Sequence, residues 1–260
     1  MKKLFLLFFL IPCIAFADVT VGPGMEYESF TKAVWETDDD LVVYPGIYDL
    51  REEIETMWEE PPDEFKRGIF IHDRKITFLP GSKLKCIWYR DDNWSPLYSG
   101  GNVVLEGLDL YAEGMLYAIH DDLWHWDAPY INEYRRCRIV GRKLKNANCI
   151  GGGVARNARI IIDSCWFDNG VKNSLTVRYH NTDIPDAAGD IWITNSWFNG
   201  YLGLCYYGGT SHLDVYVNGC KAEKIGTRRE TPDSWIRNID LYSWNNEQKS
   251  DTQNLEDMRE

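Results

Sequence analysis

The chain has 260 residues, with 40 acidic against 28 basic side chains and a net charge of −12. Such a surface repels nucleic acid and anionic lipid, so a long groove that tracks a polyanion by charge alone is disfavoured. Only a local basic patch or a bridging cation remains for an anionic partner.

At the N-terminus, Lys2 and Lys3 precede an apolar run over residues 4–16, and Ala15-Phe16-Ala17 places small residues where a signal peptidase reads. Residues 1–17 are therefore expected to be a secretory signal, which makes the protein secreted or periplasmic. The run is short for a bilayer span, and no later segment is apolar enough for an integral membrane helix. Six cysteines follow it: Cys86, Cys137, Cys149, Cys165, Cys205 and Cys220. None forms a Cys-x-x-Cys pair, and most lie in apolar strand-like runs, where a thiol packs as a small buried hydrophobe.

Residues 18–245 are expected to form one domain. Tyr27, Phe30, Ala33 and Val34 recur at three- and four-residue spacing, which predicts a short capping helix within residues 25–35. Leu41-Val42-Val43-Tyr44 reads as a buried strand ended by Pro45-Gly46. Residues 51–66 read as a helix or loop inserted in an early turn of the fold. Residues 246–260 are a polar tail, expected to fray.

From residue 104 onward the chain repeats itself. Val104-Leu105-Glu106-Gly107-Leu108-Asp109-Leu110 has counterparts at Ile161-Ile162-Asp163-Ser164-Cys165-Trp166-Phe167 and Trp192-Ile193-Thr194-Asn195-Ser196-Trp197-Phe198. Alignment on the central residue gives Leu108, Cys137, Cys165, Ser196 and Cys220, in steps of 29, 28, 31 and 24. A period of this length marks a solenoid. The units alternate apolar and polar residues and end in turns rich in Asn, Asp and Gly, so the solenoid is built of strands. The fold class is all-β: a single-stranded right-handed parallel β-helix with a short N-terminal capping helix. Leu105, Ile162, Ile193 and Val217 should form one aliphatic column, with the cysteines and Ser196 in a column of small residues beside it. Gly151-Gly152-Gly153 reads as a tight corner.

Val21-Gly22-Pro23-Gly24, the short helix, Leu41-Val42-Val43-Tyr44, Pro45-Gly46 and Tyr48 resemble the start of the pectate lyase-like (pectin lyase fold) right-handed parallel β-helix superfamily. The resemblance covers most of residues 18–245. It implies the fold, but that superfamily includes lyases, hydrolases, tailspikes and adhesins, so fold alone does not decide function. Of the hydrolase motifs of that group, only Asp121-Asp122 and an out-of-order Asn238-Ile239-Asp240 are present.

The densest chemistry lies in His120-Asp121-Asp122-Leu123-Trp124-His125-Trp126-Asp127. Paired carboxylates suit acid/base glycoside cleavage or a hard cation, so Asp121 and Asp122 are the expected catalytic pair and the ligands of any metal, Ca²⁺ being the fitting ion. His120, Trp124, His125, Trp126 and Asp127 are the expected substrate-binding residues, the indoles offering stacking faces for sugar rings. Arg178 and His180 complete the catalytic set: a lyase needs a base and a cation or Arg to stabilise charge, and Arg178 or His180 could serve one of those roles if stacking places them on the same face. Trp192, Trp197, Tyr206 and Tyr207 add aromatic surface that is a candidate sugar platform. The expected partner is an extracellular polysaccharide, cleaved by a lyase or glycoside hydrolase. The alternative is a non-catalytic adhesin, surface structural or polysaccharide-binding protein.

Overall fold

In the computed structural model the described residues are 18–65, 67–89, 94–121, 129–145, 148–154, 157–170, 175–180, 188–206, 212–229 and 239–248. Residues 1–17 and 249–260 lie outside them. The described chain is an all-β parallel solenoid with two short α-helices.

Three sheets of nine, eight and seven strands make its sides. One turn runs from Ile131–Arg135 in the first sheet through Arg138–Arg142 in the second to Ile150–Gly153 in the third. The next runs from Ala158–Asp163 through Trp166–Asp168 to Leu175–His180. Each strand pairs in parallel with its equivalents one turn away, so side chains of one register stack into columns along the axis.

The first sheet carries the expected aliphatic column, with one addition. Leu105 pairs with Tyr134, Tyr134 with Ile162, Ile162 with Ile193, and Ile193 with Val217. All five are fully buried. At about 1.5–3 kcal/mol for each large aliphatic side chain removed from water, such columns supply the main driving force for winding.

The corner between the first and second sheets explains the repeat. It is a left-handed residue followed by one turned inward, small at Cys137, Cys165, Ser196 and Cys220 and aliphatic at Leu108. Gly107, Arg136, Ser164, Asn195, Gly219 and Asn245 have φ of 76°, 53°, 56°, 51°, 65° and 54°. Four of the six are not glycine, and each such residue costs about 1 kcal/mol or more of backbone strain. The Arg136, Ser164 and Asn195 N–H groups donate to the next turn at 2.9, 3.0 and 3.0 Å, which recovers part of that cost.

The buried residues after them form a hydrogen-bond ladder. The Cys137 N–H donates to Cys165 Sγ at 3.4 Å, the Cys165 N–H to Ser196 Oγ at 3.0 Å, and the Cys220 N–H to Asn246 Oδ1 at 2.7 Å. The thiols donate back, Cys137 to the Leu105 carbonyl at 3.3 Å and Cys165 to that of Tyr134 at 3.2 Å. Cys86, Cys137, Cys149, Cys165 and Cys220 are all free and buried. Burial pushes the Cys149 thiol up to about 12 and that of Cys220 to about 11.

Two local expectations change, and the insertion expected over residues 51–66 is present. The helix begins at Phe30 rather than near residue 25, because Ser29 accepts from the Lys32 N–H and caps it, while Tyr27 sits in a bridge with Val21. It runs Phe30–Glu36 and buries Phe30, Ala33 and Val34. The segment over residues 51–66 holds a helix, Leu50–Met57, and a 3₁₀ turn, Asp63–Phe65, between a second-sheet strand and a third-sheet strand. The triple glycine is not a corner but part of the strand Ile150–Gly153. Its backbone is crowded: a Cβ on Gly151 would lie 2.3 Å from the Arg178 carbonyl oxygen.

Candidate functional site

The third sheet decides which candidate residues meet. Its outward column runs Phe70, Tyr98, His120, Gly151, Arg178, as successive pairings give it. His120 and Arg178 therefore lie on one side of the solenoid, two turns apart, with a glycine between them. The absence of a side chain at Gly151 opens the space that Arg178 crosses: its Nη1 donates to Tyr117 Oη at 3.3 Å. The Tyr117 and His120 rings are 5.0 Å apart, tilted by 41°, and the Tyr98 ring meets His120 edge-on at 5.0 Å. His120 and Arg178 are both half-buried. The face thus combines a guanidinium, an imidazole and tyrosine rings turned at different angles.

Asp121 is on the other side of the same strand. It is 1% exposed and sits inside the solenoid. Asn132 Nδ2 donates to its Oδ1 at 2.8 Å, and the Tyr134 and Tyr179 hydroxyls each donate to its Oδ2 at 2.9 Å. Ser99 Oγ lies 2.8 Å from Tyr134 Oη; with the tyrosine proton committed to Asp121, Ser99 is the donor there. Gly152, beside Tyr179, has no side chain to block the tyrosine's reach. Burial raises the Asp121 carboxyl to about 6, and the three hydrogen bonds and nearby His120 hold it from rising further. Tyr134 and Tyr179 are pushed well above the usual phenol range, first by burial and then by the Asp121 charge.

The expectation of a surface carboxylate pair is therefore changed at its first member: Asp121 faces inward and touches no surface groove. Asp122, Trp124, His125, Trp126 and Asp127 fall outside the described residues. So does the side chain of His180, whose backbone ends the strand Leu175–His180 and pairs with Gly153 and Cys205. The interior partners Ser99, Asn132, Tyr134 and Tyr179 were not among the sequence candidates. A signal for them existed, since Tyr134 occupies a slot in an otherwise aliphatic column and a buried hydroxyl there needs a partner.

The outward tryptophans play another part than the platform expected of them. Trp192 stacks on Tyr216 at 4.1 Å, Tyr216 on Tyr242 at 5.0 Å, and Trp166 on Trp197 at 5.0 Å with planes 3° apart. Each ring covers a face of its neighbour one turn on. Arg138 lies over Trp166 at 4.8 Å from the ring centre. Stacks of this kind tie adjacent turns together, at about 0.5–1.5 kcal/mol per pair. The side chain of Tyr206 and all of Tyr207 lie outside the described residues.

Near the C-terminal end, His212 Nε2 lies 3.4 Å from Asp214 Oδ1 and 3.5 Å from Asp240 Oδ2, the potential ligand atoms falling within 4.8 Å of one another. These groups are exposed or half-buried and pair with each other. No described helix is long and apolar enough to cross a membrane. Set against protein-family models, curated proteins and solved structures, the chain matches none.

Proposed function

We propose that this protein engages an extracellular polysaccharide along the outer face of its third sheet, where His120 and Arg178 are the polar anchors. The observation that carries the reading is their shared outward column across Gly151, with Tyr117 bridging them. A guanidinium suits carboxylate or hydroxyl groups of a sugar, and tyrosine rings suit its apolar faces. His120 is placed to exchange a proton beside that cation, which is the pairing a polysaccharide lyase of the pectate lyase-like type requires. The residues that follow His120 in the chain, Asp122, Trp124, His125, Trp126 and Asp127, extend the proposed site, and His180 belongs to the same set. Secretion through the N-terminal signal is part of this proposal. Ca²⁺, if it takes part, has Asp122 as its candidate ligand in this segment.

One observation favours a second reading, binding without cleavage. A two-carboxylate glycosidase needs both carboxyl groups beside one glycosidic bond. Asp121 is buried beneath the sheet, which weakens the hydrolase form of the proposal and leaves lyase or binder. The test is a polysaccharide panel assayed for retention, for new reducing ends and for absorbance of unsaturated uronates. Retention that falls about tenfold or more in the His120→Ala/Arg178→Ala double variant is expected, with uronate absorbance marking a lyase. Retention unchanged by that double substitution refutes the placement of the site.

A further inference from the structure

At the other end of the molecule, the helix Leu50–Met57 and the turn Asp63–Phe65 frame a cavity of about 380 Å³. Its walls are Trp58, Phe65 and Trp88, and its rim carries Glu55, Glu59 and Glu60. We propose that this pocket binds a small soluble alkylammonium cation. The proposal is independent of the polysaccharide reading, since no residue is shared with the third-sheet face.

The first argument is the arrangement of the rings. Trp35 meets Trp58 edge-on at 5.5 Å and Phe65 at 5.3 Å, while Trp58 and Phe65 are 5.1 Å apart and tilted by 51°. Unlike the parallel ladders elsewhere, these rings pack edge to face or tilted, and Trp58 and Phe65 line the cavity together with Trp88 while Trp35 packs against both without lining it. Aromatic faces around a concavity are the surface that holds ammonium groups, because each face presents the negative side of its quadrupole.

The second argument is charge. The pocket lies at the C-terminal end of the helix, where backbone carbonyls make the negative pole, and the last turn carries no basic residue. Glu55 is in that turn, and Glu59 and Glu60 follow directly and are exposed. Acids at this pole destabilise the helix unless a cation stands near them. The protein already supplies one: Arg51 pairs with Glu55 at 2.9 Å, and its guanidinium lies 5.7 Å from the Trp88 ring centre. That contact shows the Trp88 ring taking a cation of the chain's own, while Glu59 and Glu60 leave acidic groups on the cavity rim. A volume of about 380 Å³ falls in the lower part of the range of small-molecule sites, enough for a trimethylammonium head and a short chain.

The experiment titrates the full chain with choline, followed by calorimetry and tryptophan fluorescence, with the neutral isostere 3,3-dimethylbutan-1-ol as comparison. Saturable choline binding is expected, about tenfold or more tighter than the neutral isostere, weakened severalfold in Glu59→Gln/Glu60→Gln and by added salt. The two glutamates are exposed, so that variant should melt as the parent does; Trp58→Phe, which keeps a ring at the wall, should weaken binding only modestly. Equal binding of the isostere, choline binding unchanged in the double variant, or no saturation by choline overturns the proposal.

Discussion

The interior carboxylate gives the sharpest prediction about stability. Asp121 is buried, and its carboxyl sits at about 6 in the folded protein against about 3.9 in an unfolded chain. Between those values the folded state holds a proton that the unfolded state has released. Stability from this group is therefore complete below about pH 4 and is lost as pH rises through 6. The difference of about two pKa units corresponds to about 3 kcal/mol. Asp121→Asn removes the titration but keeps the size of the side chain. Its amide oxygen can accept from Asn132 Nδ2, whose own Oδ1 is held by the Val103 N–H at 3.1 Å, and its amide nitrogen then faces the Tyr134 and Tyr179 hydroxyls, which must turn from donors into acceptors. That mismatch lowers the stability of the variant by a similar amount at every pH and does not alter its slope. Urea unfolding of parent and variant across pH 4–7 separates the two effects. The parent should lose about 2 kcal/mol relative to the variant on going from pH 4 to pH 7, because at pH 4 the unfolded carboxyl is itself about half protonated. Parallel curves would mean that the buried carboxyl titrates as it does in water, and would sink this account of Asp121 and its interior partners.

Three further substitutions, at two positions, probe the winding. Gly151→Ala should lower stability by about 1–3 kcal/mol and the melting temperature by several degrees, since the added carbon meets the Arg178 carbonyl; an unchanged thermal melt followed by circular dichroism counts against this crowding. In the ladder, Cys165→Ser keeps an acceptor for the Cys137 N–H, as Ser196 does one turn later, and should cost under about 1 kcal/mol. Cys165→Ala leaves that buried N–H without a partner and should cost about 1–3 kcal/mol more than the serine variant, read by denaturant unfolding. If serine and alanine are equivalent, the ladder contributes packing alone.

The repeat was legible because a solenoid imposes one environment many times. Position 108 and its equivalents must be small or apolar and follow a left-handed residue, so Cys137, Cys165, Ser196 and Cys220 align without any knowledge of the loops between them. Function has no such redundancy. His120 and Arg178 meet only because the third-sheet strands keep register across long, irregular connections, and residue spacing along the chain does not encode that register. The buried Asp121 is a different case. Ile119 is inward by its apolar character, and strict alternation then places His120 outward and Asp121 inward. An inward Asp121 cannot share one glycosidic bond at the surface with any neighbouring carboxylate. The interior partners follow by the same logic: a carboxylate among Ile, Leu and Val must find donors, and Tyr134 and Tyr179 are the inward residues long enough to reach it. Strand periodicity by itself thus constrains a candidate site, by assigning each polar residue of a strand to the core or to the surface.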